Sequence, residues 1–157
     1  MNTNFLSGRT ASFTDTLGNR SAFFAVAAPL LLSMMFFWPF GGGKKVPMNS
    51  GKVDPAAQGT VTFHTTGNNN VNVDTKVKYL AKPSSLTPPE NIYVVWFEPN
   101  GQQPVNEGAL KVDSSLNGEL KTVTPYKNFK VFVTAEKSAQ VQSPQGPQVL
   151  TANVAQG

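Results

Sequence analysis

The chain has 157 residues, no cysteine and a single histidine. That allows about one domain with something left over, and it excludes disulfides, thiolate metal sites, cysteine nucleophiles and a lipoprotein anchor. A multi-histidine metal site and a histidine proton relay are nearly excluded as well. The net charge is +4, but it is unevenly placed. From Thr60 onward, Lys76, Lys78, Lys82, Lys111, Lys121, Lys127, Lys130 and Lys137 nearly balance Asp74, Glu90, Glu98, Glu107, Asp113, Glu119 and Glu136. The excess sits in Arg9, Arg20, Lys44, Lys45 and Lys52, on both sides of one apolar run. That arrangement suits lipid headgroups and not nucleic acid, which calls for basic residues gathered on a folded face.

Residues 1–21, MNTNFLSGRTASFTDTLGNRS, are polar and without periodicity. They read as a short tail, with a docking peptide as the sharper alternative. Residues 22–40, AFFAVAAPLLLSMMFFWPF, hold one polar side chain, Ser33. At about 1.5 Å per helical residue the segment spans roughly 28 Å, close to the ~30 Å hydrocarbon thickness of a bilayer. Arg20 flanks it on one side, Lys44 and Lys45 on the other, and Trp38 stands where an interfacial aromatic belongs. The expectation is an uncleaved signal-anchor, a single transmembrane helix. A buried core helix and a cleaved secretory signal are weaker alternatives: the polar stretch before the run is long, the run itself is long, and Gly41-Gly42-Gly43 is a poor cleavage site. The flanking charges leave the orientation undecided.

Residues 41–59, GGGKKVPMNSGKVDPAAQG, are rich in Gly and Pro and read as a flexible linker. From Thr60 the period becomes two. Val61 and Phe63 share a face, with Thr60, Thr62 and His64 opposite, so His64 is expected to be exposed and without a partner. After the turn signal Gly67-Asn68-Asn69-Asn70, Val71, Val73, Thr75, Val77 and Tyr79 align against Asn72, Asp74, Lys76 and Lys78. A proline-rich loop leads to Ile92–Phe97, apolar on both faces and so expected to be a central strand, packed on both sides or covered by a loop. Gly108, Leu110 and Val112 form the next inward row, with Glu107, Ala109 and Lys111 outward. Short strands follow around Leu120, over Phe129–Thr134 and over Val149–Val154. The fold class is therefore all-β: a small antiparallel β-sandwich of about seven strands over residues 60–154.

The search for chemistry yields no catalytic, cofactor-binding or metal-binding set, and the reading is of a protein that is not an enzyme. Gly41-Gly42-Gly43 lacks the strand before it and the helix after it that a phosphate loop needs. The serines have no histidine partner in view. Glu98, Glu107 and Asp113 are close in sequence but lack the dense oxygen spacing of a calcium loop, and read as solvated edge charges.

Tyr93 and Trp96 in Ile92–Phe97, then Gly108, Asp113 and Gly118, then Thr134 and Glu136, then Pro144, Gly146 and Pro147 before the last strand, form an ordered series. It resembles the C-terminal extracytoplasmic domain of the anti-sigma-K factor family. The family's cytoplasmic zinc domain has no counterpart in residues 1–21. The resemblance implies an N-terminus in the cytoplasm, one span, and a periplasmic or extracellular sandwich with a binding, sensory or regulatory role. The expected partners are the lipid bilayer through 22–40 and a protein of the cell envelope. The alternative function is a structural subunit of a membrane-associated assembly or filament. In that reading Ala25, Ala27, Ala28 and Ser33 let apolar helices pack into a homo-oligomer.

Overall fold

The computed structural model describes residues 42–156, and within them the protein is all-β and antiparallel. Nine strands follow in order: β1 (Lys44–Ser50), β2 (Gln58–Thr65), β3 (Val71–Lys78), β4 (Ile92–Pro99), β5 (Val105–Ala109), β6 (Lys111–Val112), β7 (Gly118–Thr124), β8 (Asn128–Glu136) and β9 (Gln148–Ala155). The one helical element among the described residues is a 3-10 turn, Pro83–Ser85. No helix there is long and apolar enough to cross a membrane, and the expected span at 22–40 lies outside the described residues, as do Arg20 and Trp38.

The strands hydrogen-bond in the order β5-β4-β8-β9-β1-β2-β3-β7-β6. Two strands turn the corners. β1 lies on β2 through Lys44–Met48 and passes to β9 through Asn49 and Ser50. β5 lies on β4, and after Leu110 the same stretch of chain pairs with β7 as β6. Leu110 is buried at this bend, and its amide bonds the Tyr93 carbonyl at 2.9 Å. The sheet thus curls until its two ends adjoin, which leaves little free edge.

Alternation fills the space between the two halves. Val61 and Phe63 of β2, Val71, Val73 and Val77 of β3, Tyr93, Val95 and Phe97 of β4, and Phe129, Val131 and Val133 of β8 join one core. Phe97 and Phe129 meet with ring centroids 4.6 Å apart. The opposite face of β4 is also buried. Val94 and Trp96 pack with Phe132 of β8 under Ile92 and Val141. β4 is therefore a central strand covered on both sides, the outer side by the loop that carries Val141.

Four expectations change. The sandwich of about seven strands over 60–154 is instead nine strands in one sheet curled nearly shut, beginning at Lys44. The segment read as a linker contains β1. Its lysines and Pro47 mask a strand whose inward apolar anchors are the buried Met48 and the partly buried Val46, and a proline is tolerated because β1 has one neighbour there. Lys44 and Lys45 are accordingly exposed strand residues, opposite Phe63 and Thr62. The row around Gly108 breaks: a bulge between Val95 and Trp96 re-aims β5, so Glu107 turns into the seam with β7 while Val112 is left exposed. Tyr79 leaves the row of β3, because its backbone turns to φ +57° and its side chain is 60% exposed.

Candidate functional site

β1, β3, β6 and β8 all end where β2, β4, β7 and β9 begin, so residues 51–57, 79–91, 113–117 and 137–147 gather at one end of the sheet. The described chain begins at the other end, among the tighter connections. The four connections of the first end are fastened to one another by side chains and by backbone hydrogen bonds.

Asp54, 4% exposed, accepts the Ala81 amide at 2.7 Å and so ties 51–57 to 79–91. The Tyr93 hydroxyl donates to the Ala81 carbonyl at 2.8 Å. Burial, and then the nearby Asp54 carboxyl, raise the Tyr93 phenol above its ordinary value, which keeps it a donor. The Leu80 amide bonds the Leu116 carbonyl at 3.1 Å, which adds 113–117 to the set. That turn is closed by Asp113, whose carboxylate accepts the Ser115 and Asn117 amides at 2.9 and 3.0 Å. These amides, that of Asn117 foremost, hold the Asp113 carboxyl below its ordinary value.

The loop 137–147 is held most firmly. Glu136, 1% exposed, accepts the Thr134 hydroxyl at 2.6 Å and the amides of Gln145 and Gly146 at 3.1 Å each. Thr134 in turn accepts the Trp96 indole N–H at 2.8 Å. The Ala135 amide bonds the Pro147 carbonyl at 3.0 Å. A Cβ at position 146 would lie 1.6 Å from the Ala135 carbonyl oxygen, so only glycine lets the two backbones approach. From β5, the Asn106 amide donates to the carbonyls of Ala139 and Val141, at 3.0 and 2.7 Å. Lys137 lies 3.6 Å from the buried Glu90 carboxyl, and Asn91 donates to the Lys137 carbonyl at 2.9 Å. The Lys137–Glu90 distance is an ion-pair distance and too long for a hydrogen bond, which leaves Glu90 Oε2 without one.

Of the residues singled out in the sequence, Trp96, Thr134, Glu136, Gly146 and Pro147 meet in this network, with the half-buried Pro144 beside Gln145. Tyr93 serves the same end from the inner face of β4. Gly108 (φ +124°) stands apart at the β4–β5 bulge, and Asp113 in its own turn. Glu98, Glu107 and Asp113 separate: Glu98 pairs with Lys130, Glu107 accepts the Thr122 hydroxyl at 2.9 Å, and Asp113 caps its turn. His64 is exposed, as expected, but it has a partner, the Asn72 amide nitrogen at 3.2 Å. Asp54 and Asn106 carry no sequence signal, because their roles rest on contacts between distant loops.

The network also sorts charge. Asp54, Glu90 and Glu136 are turned inward, while Lys52, Lys78, Lys82, Lys111 and Lys137 at or beside this end are exposed. Asp113 is the one acid of these four loops left exposed, so the near-neutral count of the sequence becomes a loop surface with more exposed lysines than acids. No protein-family model matches the chain, and the search of curated proteins returns no match.

Proposed function

We propose that this protein is a single-pass, membrane-anchored module whose extracytoplasmic β-sandwich binds a protein of the cell envelope through its loop end, in a sensory or regulatory role like that of the anti-sigma-K C-terminal domain. The observation that carries this reading is the mutual fastening of 51–57, 79–91, 113–117 and 137–147. Loops locked in this way present a fixed surface and lose little conformational entropy when a partner docks. Supporting it from the sequence are the apolar run at 22–40 with its basic and aromatic flanks and the ordered motif series from Tyr93 to Pro147.

The absence of cysteine supplies a clean test. Gln142→Cys, in the loop, and Ser7→Cys, in the tail, are introduced singly. Each is treated with a membrane-impermeant maleimide in intact spheroplasts and again after lysis. The expected result is labelling of Gln142→Cys in intact spheroplasts, labelling of Ser7→Cys only after lysis, and retention of the chain in membranes through an alkaline carbonate wash. Release by carbonate, or protection of Gln142→Cys until lysis, rejects the anchored extracytoplasmic reading.

A further inference from the structure

At the rim of the loop end, β3 and β6 flank the start of β7, and a groove of about 380 Å³ runs between them. Its lining includes Lys78 and Lys111 on opposite sides, with Asn117 and Gly118 between. Its two carboxylates are already committed. Glu119 is bridged by Lys121 at 3.1 Å and Lys76 at 3.3 Å, and Asp113 is held by its own turn. Lys78 and Lys111 make no ion pair among the described residues, and both are exposed.

Beside Lys78, Tyr79 is 60% exposed at φ +57°. A bulky side chain is rarely found in the left-handed region. Here the Leu80–Leu116 bond fixes the turn and the ring is directed to solvent instead of continuing the inward row of β3. An exposed aromatic ring thus follows Lys78 directly in the chain, next to a groove lined by two lysines without ion-pair partners and by the exposed Asp113.

We infer that the groove between Lys78 and Lys111, with Tyr79 beside it, is the docking site for an acidic segment of a polypeptide partner. The inference rests on the reading of the loop end as a binding surface and names what it binds. Charge complementarity selects an anion, since the lining sets Lys76, Lys78 and Lys111 against Asp113 and Glu119, and Glu119 is already shared by Lys76 and Lys121. Tyrosine at the contact suits a protein interface.

The test uses the full chain in neutral detergent and fluorescein-labelled poly-L-glutamate as probe, read by anisotropy at low salt. The wild type binds, and binding weakens as salt screens the charges. Lys78→Glu with Lys111→Glu weakens it about tenfold, as expected for reversing charges at a complementary contact. Gln102→Glu with Gln103→Glu and Lys127→Glu makes the same net change in charge at the other end of the sheet and leaves binding unchanged. Tyr79→Gly separates fold from function: it relieves the positive φ and raises the melting temperature, yet weakens the probe severalfold. Absence of binding, equal losses in the two charge variants, or an unaffected Tyr79→Gly overturns the inference. Inorganic polyphosphate or phosphatidylglycerol micelles held more tightly than poly-L-glutamate through the same lysines overturns the assignment to a polypeptide. None of these outcomes touches the maleimide result, so failure of the groove and failure of the anchored module are told apart.

Discussion

At the scale of single residues, the loop end depends on acids used as fasteners. Glu136 accepts three donors while buried, so removing it strands the amides of Gln145 and Gly146 and the Thr134 hydroxyl. Glu136→Ala is expected to cost about 2–4 kcal/mol in urea unfolding, the penalty for several unsatisfied buried donors. It should also raise quenching of Trp96 by acrylamide as the loop loosens. Glu107 works in the opposite sense. Half-buried in the seam, its carboxyl is pushed above the ordinary 4.5 by desolvation, an effect the Thr122 hydroxyl opposes. A raised acid favours the protonated fold, so its contribution is present below 4.5 and is lost as pH rises through the higher folded value. Glu107→Gln removes that loss. Its melting temperature should exceed that of the wild type near neutrality, and the two should converge in acid. Asp113 has the reverse sign: its carboxyl is lowered, and its contribution is lost as pH falls through the folded value.

At the scale of elements, β1 and the β5–β6 stretch decide whether the sheet can curl. β1 is the bridge between β2 and β9. A chain that starts at Gly51 exposes the edges of both neighbours and uncovers the core beside the buried Met48. It is expected to lose the cooperative thermal transition by circular dichroism, whereas a chain that starts at Gly42 keeps it. A linker in this position would make the two chains equivalent. The strands at the seam carry devices that discourage edge pairing: Glu107 points inward, β6 is short, and Lys111 and Lys121 are exposed. This turns attention from strand addition to the loops as the place where a partner docks.

At the scale of the described domain, burial and pairing grade the stability of the sheet. β4 and β8 pair along their full length, bury both faces of β4, and contribute to two apolar clusters. β5 and β6 are short, and β5 is partly exposed along its length. Amide hydrogen exchange is expected to be slowest in β4 and β8 and faster by orders of magnitude in β5 and β6, because edge strands open locally without global unfolding. Uniform protection across the sheet would contradict this graded picture.

Several features are local and were therefore readable in the chain. The period of two from Thr60, the turn at Gly67–Asn70, the doubly buried Ile92–Phe97 and the alternation of Phe129–Thr134 each follow from side chains choosing between two faces. The all-β class follows from them. Trp96, Thr134, Glu136 and Gly146 were marked only as members of a series carrying a family resemblance, which said nothing of the hydrogen bonds that join them. What only the tertiary structure decided involves partners far apart along the chain. β1 is a strand because β2 and β9 complete it, not because Lys44–Ser50 favours one. Asp54 matters because Ala81 lies across from it, and Tyr79 is exposed because Leu116 captures the next amide. The loop end is lysine-rich outside because Asp54 and Glu136 found donors in the interior and Glu90 is buried beneath Lys137. Net charge is a sum over the sequence, but a partner meets only the charges that folding leaves outside.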